Sequence, residues 1–302
     1  MEFIKNINLT PNEEYKNSHY FCDYVELQAL LNNDLVSISD IFDIFLENDK
    51  IDDNDKWTKR IEEWFILLQD RKDRFQEFYP FEVNKESINL KQKLNNKHKL
   101  YIFLLLLSLQ RYISKDKNLL TTEFEAFSID ILNNYFSKNV VIENFGKNIN
   151  SQGSLKEKID KLSKQLGYKT KYEDRYLENN NGDGGVDIVA WVPFWNDSNL
   201  SNIQLFLCQC ATGKEWAKKP YDLDKFKSNF IDFDTIVIPV LIIPYDIRNC
   251  ENKFYSKIDF KNEIILFDRM RLLYLVFDEN IIEKYKSLQI IDSFIEYVQD
   301  II

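Results

Sequence analysis

The chain has 302 residues, enough for one large domain or two small ones, and at 44% apolar and 15% aromatic it excludes an intrinsically disordered protein. Its formal net charge of −10 is no footprint of a nucleic-acid binder, although the charge is unevenly spread. Residues 1–50 hold three Lys and ten Asp or Glu, whereas residues 151–250 are nearly neutral, so the acidity is a caution about the first segment rather than about the whole.

The first twelve residues carry charges and no apolar run, which argues against a signal peptide. The longest apolar segment, 101–109, is about half the length of a membrane span. We therefore expect no membrane association, and a cytoplasmic protein whose four cysteines, Cys22, Cys208, Cys210 and Cys250, stay reduced. Cys208 and Cys210 are two apart in an apolar run, which on a strand puts them on one face as small core residues. A zinc site needs further ligands that the two histidines do not supply in any matching spacing.

In chain order, helical periodicity covers two segments between residues 20 and 48, with Ser39-Asp40 placed to start the second. The pair looks like a helix-turn-helix. Its second helix carries Asp40, Asp43 and Glu47 and nothing basic, so phosphate would repel it and a role in docking a protein partner, or a purely structural one, fits better. A polar loop is expected over 48–56, and then a helix over 57–78 with a solvated basic face. Pro80 and residues 81–88 break the pattern. Residues 98–113 read as a buried central helix, and 115–118 as a linker.

Beyond the linker the texture changes. Helices are predicted over 123–136, capped by Thr121 and Thr122, and over 154–166, closed by Gly167 with its lysines facing away from the apolar side. Strands are predicted at 168–172, 186–192 and 203–211, a helix at 216–230, strands at 235–243 and 263–268, and a helix at 269–277. This order specifies an α/β, or α+β, sandwich on a mixed sheet, preceded by an all-helical domain: an acidic docking domain over 1–118 and a second domain over 119–302.

All seven glycines lie between residues 146 and 213, and three fall within 182–185, just before Asp187. Glycine gathers where the chain turns sharply or leaves room for a ligand, so this stretch singles out Asp187. Gln209 stands near the end of the following strand, 22 residues on, and adjacent strands bring the two side chains to one sheet edge. A carboxylate and an amide oxygen there suit a hard cation such as Mg²⁺ or Mn²⁺, which keeps several of its waters. Lys214 follows Gln209 and can orient a water or neutralise charge on phosphorus. The Gly213-Lys214 pair does not make a phosphate loop, because Cys208 stands where the leading glycine must be and Glu215 replaces Ser or Thr. Glu125 falls between Leu132 and Phe136 on its helical wheel, which makes it the better second acid. Glu157 lies away from the apolar side of its own helix. Asp183 reads as a turn-shaping residue. Trp191, Trp195 and Trp216 either stack on bases or pack in the core.

The run Gly-Asp-Gly-Gly-Val-Asp-Ile-Val at 182–189, followed by a strand carrying Gln209, resembles the PD-(D/E)xK nuclease superfamily, in particular its Mrr-like restriction endonuclease branch. The resemblance spans about 119–275, and its specific part is 182–214. It implies a restriction-endonuclease-like fold and a Mg²⁺-dependent (or Mn²⁺-dependent) endonuclease acting on DNA in restriction or anti-phage defence. By the resemblance Asp187 and Gln209 bind metal, with Glu125 as the preceding helix glutamate. One departure stands out: the position of the motif lysine is Ala211, so Lys214 has to act from beyond the strand end. The alternative is a catalytically inactive nuclease-fold subunit that binds nucleic acid or serves as a scaffold in a defence complex. With so little basic surface, either version expects a partner protein on the helical domain, and a homodimer is open.

Overall fold

The computed structural model describes residues 18–32, 35–48, 50–113, 115–136, 139–146, 153–171, 184–194, 201–254 and 263–299. The chain divides into two compact units. One comprises Met1–Leu120 with Pro244–Tyr255 and Asp278–Ile302; the other comprises Thr121–Ile243 with Ser256–Phe277.

In the first unit α1 (Ser18–Leu31) is buried on nearly every side, which explains why its apolar residues do not form a single stripe. A short strand β1 (Val36–Ser37) leads into α2 (Ile38–Glu47). The helix starts two residues earlier than Ser39-Asp40 suggests. Ser37 is the N-cap, accepting from the Asp40 N–H while the Asp40 carboxylate accepts from the Ser37 N–H at 2.7 Å, so both orphan donors are satisfied reciprocally. Next comes α3 (Asn54–Phe75), capped by Asp53, so the expected loop over 48–56 ends sooner. Residues 81–88 are more than a break: β2 (Phe81–Val83) and β3 (Ser87–Leu90) form a hairpin, and β3 also pairs with β1 in a small antiparallel sheet. Then α4 (Asn96–Ser108) buries His98 and every residue from Leu100 to Leu107, as its continuous apolar run requires.

The basic face of α3 is not wholly solvated. Arg71 is buried inside the unit, where its guanidinium meets Asp23 at 2.8 Å, Glu26 at 2.9 Å and Asp246 at 3.0 Å. Tyr79 and Tyr101 both donate to Glu26, and Ser108 donates to Asp23, so the carboxylates gain neutral partners as well. Burial works against the Arg71 charge, but Glu26 and Asp23 outweigh it and hold the guanidinium well above its usual range.

The segment expected to be a linker is the first turn of α5 (Lys117–Tyr135), which starts six residues ahead of the predicted helix. The strand that follows, β4 (Val141–Asn144), gives a weak sequence signal because it is four residues long and half-buried throughout. Ser154 caps α6 (Leu155–Leu166) in a reciprocal box with Glu157, and Gly167 closes it in the left-handed conformation at φ 74°. The described part of the strand predicted at 168–172 does not join the main sheet: among the described residues β5 (Lys169–Thr170) pairs with Ile231–Asp232, the later β8. The main sheet takes β6 (Ile188–Val192) and β7 (Gln204–Cys210). After α7 (Pro220–Asn229) come β8 (Ile231–Asp232), β9 (Val237–Ile242) and β10 (Ile265–Phe267), then α8 (Arg269–Tyr274). Back in the first unit, the last described helix is α9 (Ser287–Gln299).

The five-stranded sheet has the order β10-β9-β7-β6-β4. β6 runs antiparallel to both of its neighbours, β4 and β7, while β7, β9 and β10 run parallel, so the sheet is mixed and the unit is α/β. Strand alternation sorts its two faces. Val189, Trp191, Leu205 and Leu207 form one core with Leu155, Ile159 and Leu162 of α6 and with Leu223 and Phe226 of α7. On the other face Phe206 meets Phe136, just past α5, at 4.5 Å between ring centroids. No described helix is long and apolar enough to cross a membrane.

Candidate functional site

The glycine-rich turn has a structural purpose of its own. Gly184 and Gly185 carry positive φ (64° and 86°) and lie flat against α7. A Cβ on Gly185 would stand 2.6 Å from Asp222 Cβ, and one on Gly184 2.9 Å from the Phe226 ring, so only glycine allows the turn to press on this helix. Gly182 and Asp183 lie outside the described residues, as does Trp195.

The turn delivers Asp187 to the point where three strand ends meet. Its N–H donates to Cys208 at 2.9 Å, and its side-chain Oδ2 accepts from the Cys210 N–H at 2.7 Å. On the other side its carbonyl accepts from the N–H groups of both Phe145 and Gly146, each at 2.7 Å. Asp187 is thus bonded to β7 on one side and to the end of β4 on the other. Gln209 leaves β7 on the same face as Leu205 and Leu207, two positions before Ala211, where pairing with β9 ends through the Ala211 N–H to Ile242. Its Oε1 is buried and meets no hydrogen-bond donor.

Glu125 reaches this place from α5. Its Oε2 lies 2.8 Å from where a Cβ on Gly146 would be, so the missing side chain of Gly146 is what makes room for the carboxylate. The cluster is buried: Asp187 is 8% exposed, Gln209 5% and Glu125 6%. Such burial raises the cost of charge, and the Cys210 thiol registers it. Burial pushes that thiol well up, and the neighbouring charges of Asp187 and Glu125 push in the same direction, with Ser128 within hydrogen-bonding reach opposing them. Glu125, Asp187 and Gln209, singled out separately in the sequence, therefore share one end of the sheet.

Lys214 lies in an exposed turn beyond β7. A different lysine stands at the strand ends. Lys158, on α6, is 9% exposed, and its Nζ donates to the carbonyls of Phe145 at 3.2 Å and Gly146 at 3.1 Å. These are the same two residues whose N–H groups hold Asp187. The sequence does carry a signal for it: Lys158 lies three residues after Leu155 and four before Leu162, inside the apolar arc rather than opposite it. Glu157 is accounted for by its capping box, in which its carboxylate accepts from the Ser154 N–H at 2.6 Å. Trp191 and Trp216 are both buried and serve packing.

Among the described residues no three His, Cys, Asp or Glu side chains form a group able to hold a metal ion. Two carboxylates and an amide do not need to. Aspartate, glutamate and glutamine offer oxygen donors alone, and the unmatched Gln209 Oε1 is an acceptor that a hard cation or one of its waters would satisfy. Burial pushes the Cys208 and Cys210 thiols up, which favours their protonated form. No family model matches this chain, and no curated protein or solved structure matches it.

Proposed function

We propose that the chain is a Mg²⁺- or Mn²⁺-dependent endonuclease of the PD-(D/E)xK type that hydrolyses DNA phosphodiester bonds, in restriction or anti-phage defence and together with a partner protein. The observation that carries this reading is the placement at one end of the sheet of Asp187, its carboxylate bonded to the Cys210 N–H, of Gln209 with its unmatched amide oxygen, and of the buried Glu125. The order of the main-sheet elements also supports it: helix α5, then β4, β6 and β7 as an antiparallel meander with α6 and β5 inserted after β4, then helix α7 and, after β8, the strand β9 parallel to β7.

In this reading Asp187, Gln209 and Glu125 would hold the cation. Once bound, the cation lowers the pKa of an attached water and offsets charge developing on phosphorus. Asp187 is fixed for this task by its bonds to Cys208, Cys210, Phe145 and Gly146, so little reorganisation is needed on binding. Two lysines compete to supply positive charge to the phosphate: Lys214 from the exposed turn and Lys158 from the strand ends.

A second reading has a specific observation in its favour, the alanine at 211 in place of a lysine. There the domain is a non-catalytic subunit that binds nucleic acid or acts as a scaffold. Plasmid DNA incubated with Mg²⁺ or Mn²⁺ separates the two. Nicking by the native protein that Asp187→Ala abolishes supports the nuclease. Persistent failure of the native protein to cut, with its partner proteins supplied, leaves the scaffold.

A further inference from the structure

Beside the proposed cation donors stands a side chain that this donor set leaves without a purpose. Asn144 is the last residue of β4, opposite Ile188 of β6. Its Oδ1 and Nδ2 are both buried, and neither finds a hydrogen-bond partner. Its Oδ1 also lies near Gly146, 3.5 Å from where a Cβ would sit, and Glu125 Oε2 converges on the same point at 2.8 Å. A buried polar group without a partner costs about 1–3 kcal/mol, and Asn144 has two of them. Leucine or valine at this position would avoid that cost. Gln209, on the far side of Asp187 in the strand order, repeats the pattern with its own unmatched buried oxygen. Two unmatched amides therefore stand at the same sheet end as the two carboxylates, Gln209 on the face of Leu205 and Leu207 and Asn144 on the opposite face, beside Glu125.

An amide presents an oxygen to a cation and an N–H to an anion or water beside it. A hydrated hard cation satisfies both ends at once, whereas an apolar ligand satisfies neither. We propose that Asn144 is a further ligand-binding residue, its Oδ1 serving with Glu125 as an oxygen donor toward a divalent cation or that cation's water. The inference rests on the hydrolase reading for the kind of cation, and extends its donor set by one residue.

The test is Mn²⁺ binding followed by electron paramagnetic resonance, with thermal melting beside it, for the native protein, Asn144→Leu, Asn144→Asp and Asp187→Asn. Asn144→Leu is expected to weaken Mn²⁺ binding by about 10-fold or more while leaving the metal-free melting temperature equal or higher, since it deletes two unmatched groups. Asn144→Asp keeps an oxygen donor and adds charge, so it is expected to bind Mn²⁺ at least as tightly as the native protein. Should Asn144→Leu fail to fold, the aspartate variant decides alone: weaker binding than native overturns the proposal. Unchanged Mn²⁺ binding in Asn144→Leu, or no binding by the native protein, also overturns it. Equal binding by native and Asn144→Leu, with Asp187→Asn losing both Mn²⁺ and plasmid cleavage, rejects Asn144 and keeps the nuclease. The expected Mn²⁺ pattern in a protein that never cuts DNA keeps Asn144 and rejects the nuclease.

Discussion

The Cys210 N–H donates to Asp187 Oδ2 at 2.7 Å, so the carboxylate most prominent in the sequence is held by a backbone group of the strand that carries Gln209. This bond separates the structural and the chemical parts of Asp187. Asparagine keeps an oxygen that can accept from Cys210 and loses only the charge. Asp187→Asn should therefore melt close to the native temperature while Mg²⁺-dependent cleavage falls by about 100-fold or more. Asp187→Ala loses the acceptor as well, and should be destabilised by about 1–2 kcal/mol in urea unfolding. Equal cleavage by native and Asp187→Asn would remove the residue from the chemistry.

Gly185 is held by two constraints that act together. Its φ of 86° strains any other side chain, and a Cβ there would come within 2.6 Å of Asp222 Cβ on α7. Gly185→Ala should cost about 2–4 kcal/mol, from backbone strain together with overpacking. Gly213 is the control. It lies in the same stretch of sequence, but a Cβ there meets nothing within 4 Å, and Gly213→Ala should change stability by no more than about 0.5 kcal/mol. Urea midpoints for the two variants check the contrast, and similar midpoints would show that the turn relaxes away from α7.

Arg71 stands among three carboxylates, those of Asp23, Glu26 and Asp246, all essentially inaccessible to water. Removing the guanidinium takes this buried cation away from Asp23 and Glu26, while Asp246 keeps its pair with Arg74 at 2.9 Å, and the loss is far costlier than the net worth of the ion pairs. Arg71→Met should destabilise the first unit by about 3–5 kcal/mol. Lys72→Met, one residue on, removes only an exposed pair with Glu82 and should cost less than about 1 kcal/mol. Chemical denaturation of both variants checks the difference. A small loss in Arg71→Met would mean that water enters to solvate the carboxylates.

Much of this architecture is legible in the sequence, and the failures have physical causes. Helices α2, α3, α4 and α6 announce themselves through long apolar patterns and polar caps, whereas β4 is short, half-buried and without alternation. The strand predicted at 168–172 has suitable residues, but pairs outside the main sheet, and no local pattern distinguishes one pairing from another. Asp187 is legible through the glycines that precede it, Gln209 through its place near the end of the next strand, and Glu125 because a carboxylate on an apolar helical face is conspicuous. Asn144 is not, since an asparagine at the end of a short strand looks like ordinary punctuation. Lys158 was hidden among the other lysines of α6, and Arg71 among the basic residues of α3. In both, helical spacing placed the residue near the apolar arc, but long cationic side chains usually extend to solvent from there.

The two lysines make the last prediction. Lys158 bonds the carbonyls of Phe145 and Gly146, whose N–H groups bond Asp187, so its ammonium is tied to the strand ends before any ligand arrives. Lys214 starts from an exposed turn and must cross the end of β7 to act. If Lys158 supplies the positive charge, Lys158→Met lowers kcat for cleavage by about 100-fold, Lys158→Arg recovers part of it, and Lys214→Ala changes it little. A loss confined to Lys214→Ala assigns the charge to the turn, and leaves Lys158 as a clamp on β4. The clamp makes its own distinguishable mark: Lys158→Met then lowers the melting temperature, while kcat per folded molecule stays at the native value. Melting and single-turnover cleavage on the same samples therefore separate the two roles, because a purely structural lysine changes the amount of folded protein and not its rate.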